Sequence, residues 1–297
     1  MRIVEDMPNK AYHSEKDYIS SSFVKQVHKH SVAKALIPID PTKESLVQGD
    51  RFHTLMEGDD AFSARFEVHS KPDDSEIIAN LLDLDWCIKR KIKKQGDKPY
   101  TQPTSTNYYK NWLEKHTPVA PEGKDIVWSD EFNMYSKMRE SIKANRALTD
   151  LLTNVYDQTK TMHDETSFFT EEPDEFGLLY RVRPDRHYRD ISGSPILILD
   201  WKSCQDASPK AFKSDFFKFG YDIQAVFYAE KVLGISADHF YFVAVEKNYP
   251  YNSAVYGLDF ETIERAREKM NVALQRISLY YKEGIDGIEN SNQITYL

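Results

Sequence analysis

The residues with the most chemical content are Asp185 and the run Asp200-Trp201-Lys202. The gap between the two aspartates fits a β-hairpin. Leu179 to Asp185 reads as extended, and Pro195 to Asp200 is an apolar, β-branched run. Asp190, Ser192, Gly193 and Ser194, with Pro195 after them, supply turn chemistry between the two. Side chains alternate along a strand, so Asp200 and Lys202 point to one face. In Arg183-Pro184-Asp185 the proline has no N–H for a ladder bond, so strand pairing weakens there and leaves the Asp185 carboxylate free to bind. Two convergent carboxylates suit Mg²⁺, with Mn²⁺ as a substitute, because these ions take hard oxygen ligands and keep several waters. The backbone carbonyl of Trp201 is a candidate for a further oxygen. Lys202 could orient an attacking water or neutralise a phosphate. The competing reading of the same residues is a salt bridge from Lys202 to Asp185 or Asp200.

A helix beginning at Tyr221 adds Gln224 and Tyr228, four residues apart and therefore on one face. A polar stripe on an otherwise apolar helix can line a phosphate groove, although Tyr228 could equally be core and Gln224 exposed. His53, in Gly49-Asp50-Arg51-Phe52-His53, is the remaining candidate. A lone helical histidine is usually structural, but beside two carboxylates its imidazole can complete a metal shell.

The elements that must position these groups fall into two halves. Up to about residue 155 the pattern is mostly helical: a short helix capped by Ser20-Ser21-Ser22, a helix over 46–57, one over 75–94, and helical spacing over 129–153. Phe66 to His69 reads as a strand, and 96–107 as a surface loop. From about 160 to 285 strands dominate, at 163–170, 177–188, 196–202, 239–246 and 253–258. Helices intervene at 208–217 and 221–233, and a long one follows at 260–282. The fold class is α/β, a central mixed sheet flanked by helices with a helical N-terminal part. No Pro-, Gly- or Ser-rich linker separates the halves, so 1–297 is expected to form a single domain.

Composition sets the bounds. The chain has 297 residues, 18 Tyr and 16 Phe, enough for a substantial core. No apolar run approaches the roughly 20 residues that span a bilayer, and the first ten residues lack a signal-peptide stretch. Cys87 and Cys204 form no metal-binding pattern, so no zinc or iron–sulfur site is expected, and a reducing, cytoplasmic setting fits. The net charge of −8 argues against non-specific coating of nucleic acid. It leaves room for basic residues gathered in one groove. The concentrations of positive charge are Lys89 to Lys94, and Arg181, Arg183 and Arg186 beside the candidate site.

Taken in order, the motifs resemble the C-terminal nuclease domain of the RecE (exonuclease VIII) family and its phage relatives. That family lies within the PD-(D/E)xK nuclease superfamily, which also holds lambda exonuclease and the RecB and AddB nuclease domains. The resemblance runs from Tyr12-His13 and Ile19-Ser20-Ser21-Ser22 through Gly49–His53, Arg183-Pro184-Asp185 and Asp200-Trp201-Lys202-Ser203. It continues through Asp206–Pro209 and Tyr221–Tyr228 to Val243–Lys247. It implies a PD-(D/E)xK core with Asp185, Asp200 and His53 as metal ligands, Lys202 as the catalytic lysine, and Gln224 and Tyr228 supporting the site. Glu165 resembles, loosely, an acidic position that opens the preceding strand. The family more often shows a threonine after the lysine; Ser203 keeps the hydroxyl.

The implied activity is a Mg²⁺-dependent exonuclease that resects double-stranded DNA ends 5′→3′ and leaves 3′ single-stranded tails. Those tails would pass to a single-strand annealing protein of the RecT type. The implied assembly is a toroidal homo-oligomer, a trimer or tetramer, whose basic channel would coexist with an acidic exterior. An endonuclease on the same core and a catalytically silent DNA-end-binding protein are the alternatives.

Overall fold

The computed structural model describes residues 1–284, apart from 39, 41, 83–93, 96–97, 100–106 and 156–159. The basic run from Lys89, most of the 96–107 loop, and Cys87 lie largely outside those residues. The chain divides into two compact units, residues 1–57 with 137–297, and 58–136.

The larger unit opens with β1 (Arg2–Val4), α1 (Asn9–Ser14), β2 (Tyr18–Ser20), α2 (Ser21–Lys29), α3 (Val32–Ala35) and α4 (Glu44–Glu57). The smaller unit holds α5 (Asp59–Arg65), β3 (Phe66–His69), α6 (Ser75–Leu82), the short strands β4 (Lys94–Gln95) and β5 (Lys98–Pro99), α7 (Asn107–His116) and β6 (Asp125–Trp128). Strands β3 and β6 pair in parallel. Helix α8 (Ser129–Lys143) runs across the division into the larger unit. There follow α9 (Arg146–Val155), β7 (Thr161–Asp164), β8 (Ser167–Phe169), β9 (Leu179–Val182), β10 (Arg186–Arg189) and β11 (Pro195–Cys204). The unit closes with α10 (Pro209–Phe219), α11 (Tyr221–Val226), β12 (Phe240–Glu246), β13 (Ser253–Tyr256) and α12 (Phe260–Glu283). The helical spacing over 129–153 thus resolves into two helices. Asn145 accepts the Leu148 N–H at 3.0 Å, which starts the second.

Two mixed sheets carry the larger unit. One is five-stranded, in the order β13-β12-β11-β10-β7, with β11 and β12 parallel and the other pairs antiparallel. The other is four-stranded, in the order β1-β8-β9-β2, with β2 and β9 parallel. The hairpin read from the sequence is real but shorter. Only Arg186 to Arg189 pairs with β11, around the Asp190–Ser194 turn. The stretch before Pro184 belongs to the other sheet, because the chain leaves the ladder at 183–185 where proline cannot donate. The adjoining strand breaks at the matching place. Strand β7 pairs with β10 and β8 pairs with β9, with Glu165 and Thr166 between. One bent hairpin therefore runs through both sheets.

The core explains why β11 reads as a continuous apolar run. Leu197, Ile198 and Leu199 are all buried, since both faces of this central strand are covered. Val24 and Val27 of α2, Ile223 and Val226 of α11, and Leu274 and Ile277 of α12 join Phe168, Tyr180, Ile198 and Phe242 in one cluster. Asp259 caps α12 by accepting the Thr262 N–H at 2.8 Å, and Gly284 ends it at φ +70°. No helix among the described residues is long and apolar enough to cross a membrane.

Candidate metal and catalytic site

The matched breaks in the bent hairpin bring two carboxylates together. The Glu165 N–H donates to the Asp185 carbonyl at 3.2 Å, and Glu165 sits in the left-handed region at φ +47°. A side chain with a Cβ pays for that conformation, and such residues persist where the surrounding structure over-determines them. Here the ladder on either side holds it.

Helix α4 brings His53 to the same point. Its Nδ1 lies 3.2 Å from Asp185 Oδ1. The other oxygen of Asp185 accepts the Trp201 backbone N–H at 2.7 Å. His53, Glu165 and Asp185 each offer a ligand atom within 4.8 Å of the others, and they are the group of that kind among the described residues. One imidazole and two carboxylates are a suitable donor set for Mn²⁺ or Mg²⁺.

Charge coupling follows the geometry. Burial opposes the His53 imidazolium, but the Asp185 carboxylate outweighs it and lifts the histidine to about 9. Burial would raise Asp185 too; His53, Lys202 and the Trp201 N–H hold it below the usual carboxylate range instead. Glu165 is pushed up to about 8 by burial and by Asp185, against the pull of Arg183, whose Nε lies 2.7 Å from its Oε2.

Asp200 is buried and does not join the three-residue group. One of its oxygens forms an ion pair with Lys202, and the other accepts the Gln224 side-chain N–H at 2.6 Å. Burial raises its pKa despite Lys202. Lys202 lies over the Tyr221 ring, its Nζ 4.8 Å from the centroid. Of the two sequence readings of Lys202, the geometry shows the salt bridge, which is to Asp200, and the pair stands beside Asp185. The contact of Trp201 with this cluster is its donating N–H rather than its carbonyl.

Gln224 is buried and sits on Asp200, not at the surface. Tyr228 falls where α11 passes into a π-helical stretch, Phe227–Leu233, a local widening often found at functional sites. Its hydroxyl bonds Ser21, and burial holds it well above its ordinary pKa, with Asp200 and Asp185 adding to the effect.

The arginines near the site in sequence divide. Arg181 is buried and donates to the carbonyls of Tyr12 and, at 2.8 Å, Glu15. Arg186 grips Asp164 through two bonds, at 2.6 and 3.0 Å. Both hold the fold together; of the three, Arg183 reaches the site, through Glu165.

Lys25 is a member the sequence reading missed. From α2 its Nζ donates to Gln224 Oε1 at 3.0 Å. It lies between Val24 and Val27, and a lysine there looks like any surface lysine of an amphipathic helix.

Comparison with known proteins agrees with the fold. Residues 99–289 match the PDDEXK-like domain of unknown function (DUF3799). Among solved structures the chain is similar to a crystal structure from Eubacterium rectale described as a "Putative exonuclease", at 12% identity and a TM-score of 0.52. The alignment covers 99% of this chain and 96% of that one. No curated protein matches the sequence.

Proposed function

The chain belongs to the PDDEXK-like family, and from that premise we propose that it is a metal-dependent nuclease that hydrolyses DNA phosphodiester bonds. One observation carries the reading: Asp185 is shared between His53 and the Trp201 amide, with Glu165 beside it and the Asp200–Lys202 pair next along the strand. A structural salt bridge needs none of the other four groups.

His53, Glu165 and Asp185 would hold the ion, with Asp200 as the neighbouring carboxylate. A divalent ion there supplies Lewis acidity, activating a water and offsetting phosphate charge. The residues do the rest. The Trp201 N–H fixes the Asp185 carboxylate and keeps it ionised. Lys202, which pairs with Asp200, would offer its ammonium to a non-bridging phosphate oxygen or to the attacking water. Gln224 keeps its hold on Asp200 while Lys202 turns to the substrate.

The finer reading rests on the resemblance to the RecE family: an exonuclease on double-stranded DNA ends, Mg²⁺-dependent, running 5′→3′. It would leave 3′ tails for a RecT-type annealing partner, working in the cytoplasm as a trimeric or tetrameric ring. The likeness to the Eubacterium rectale protein supports the exonuclease part of this reading.

Digestion of linear duplex, labelled at either end, against covalently closed circles tests this. The expected result is Mg²⁺- or Mn²⁺-dependent shortening from the 5′ end with the circle spared. Cutting of the circle would favour an endonuclease. Absence of cleavage with either metal would overturn the nuclease reading, and a monomer in light scattering would remove the ring.

A further inference from the structure

Lys25 bears on this site through Gln224. Its Nζ lies 3.0 Å from Gln224 Oε1, and Gln224 Nε2 lies 2.6 Å from Asp200 Oδ2. As an ammonium Lys25 donates and has no lone pair with which to accept, so the amide oxygen is the end that faces it. The amide NH₂ must then face Asp200. Turned the other way, the glutamine would set its carbonyl oxygen against a buried carboxylate and leave its NH₂ pointing at an ammonium. One distant lysine thus fixes which end of the amide meets Asp200.

The fold makes a place for this lysine. Its stem passes beside Gly220, which ends α10 in the left-handed region at φ +67°. A Cβ at Gly220 would lie 3.2 Å from Lys25 Cγ, so the glycine serves both the turn and the lysine's path. The Tyr221 ring lies near two ammonium groups, Lys25 at 5.7 Å and Lys202 at 4.8 Å from its centroid. Val24 and Val27, on either side of Lys25, are fully buried and pin the helix that carries it.

We infer that Lys25 is a positioning residue of the site: it locks the Gln224 amide so that its NH₂ holds Asp200 while Lys202 is free to engage the substrate. The inference rests on the nuclease reading for its consequence, but its geometry can be tested without cleavage.

The experiment compares wild type, Lys25→Met, Lys25→Arg, Gln224→Leu and the double variant Lys25→Met/Gln224→Leu. In the metal-free protein, NMR should show the Gln224 side-chain NH₂ as a protected, shifted pair, identified by its loss in Gln224→Leu. Lys25→Met should collapse it toward free-amide positions, and Lys25→Arg should restore it. In cleavage of linear duplex with Mn²⁺, Lys25→Met should lower kcat by about tenfold or more with KM and salt dependence unchanged, and Lys25→Arg should recover most of the loss. In the Gln224→Leu background, removing Lys25 should cost nothing further, because the two act as one unit.

An unchanged Gln224 signal in Lys25→Met overturns the inference. So does a loss confined to KM with a flatter salt dependence, which would make Lys25 a phosphate contact. Additive losses in the double variant, read as kcat or as melting temperature, also overturn it. If wild type cleaves no DNA, the nuclease reading fails, and the NMR comparison still decides the role of Lys25.

Discussion

The backbone N–H of Glu165 donates to the carbonyl of Asp185, and this one bond ties together the two points where the bent hairpin passes from one sheet to the other. Glu165 takes a left-handed conformation to do so. The two carboxylates are therefore placed by a defect in strand pairing. A regular ladder would have kept its hydrogen bonds and carried no such pair.

If Glu165 is a ligand, Glu165→Gln keeps the shape and the backbone bond but loses the charge. Mn²⁺ binding to the metal-free protein should weaken by about tenfold to a hundredfold, a range seen when groups at metal centres are altered. Isothermal titration reads this directly, and unchanged affinity would place Glu165 outside the ion's shell.

The His53–Asp185 pair should make stability depend on pH when metal is stripped with a chelator. The histidine's folded pKa is raised to about 9, so its contribution is complete below its ordinary value near 6.5 and fades as pH rises through 9. Asp185 is depressed, so its share is present above the ordinary carboxylate range and lost as pH falls below it. Between those limits His53→Asn should cost about 1.5–3 kcal/mol, the range for a hydrogen bond to a charged group. The gap between wild type and variant in thermal unfolding should close toward pH 10.

The same raised pKa predicts that metal competes with a proton. Binding of Mn²⁺ near neutral pH should release about two protons, one from His53 and most of one from Glu165, and affinity should climb with pH until both groups are deprotonated near 9. Titrations in two buffers of different ionisation enthalpy count the protons, and Glu165→Gln should lower the count by about one. With an imidazole in the donor set, Mn²⁺ should also saturate the site at lower concentration than Mg²⁺.

Lys202→Met should cut the rate of duplex cleavage by about a hundredfold or more, since it removes the ammonium paired with Asp200. Folding should survive, because Asp200, already raised by burial, can bind a proton and keep its Gln224 bond. Cleavage at the wild-type rate would show that the reaction does not use this lysine.

How far the sequence reached can be read residue by residue. The apolar run from Ile196 to Leu199, the alternation that puts Asp200 and Lys202 together, and the break at Pro184 are all visible in it. Each is set by backbone hydrogen bonding and side-chain geometry over a few positions. The order of motifs carried the PD-(D/E)xK-like family. What the sequence could not supply was the partner of each charge. Arg186 meets Asp164 across the β7–β10 ladder, and His53 on Asp185 and Lys25 on Gln224 are contacts between elements far apart in the chain. Packing of α2, α4 and α11 against the sheets chose them, and no local period records that choice. Nor does a local pattern announce that Glu165 will turn left-handed, since only the facing break at Asp185 requires it. The strand chemistry is local and legible; the site is a meeting of distant segments, and only the tertiary structure decides which of them meet.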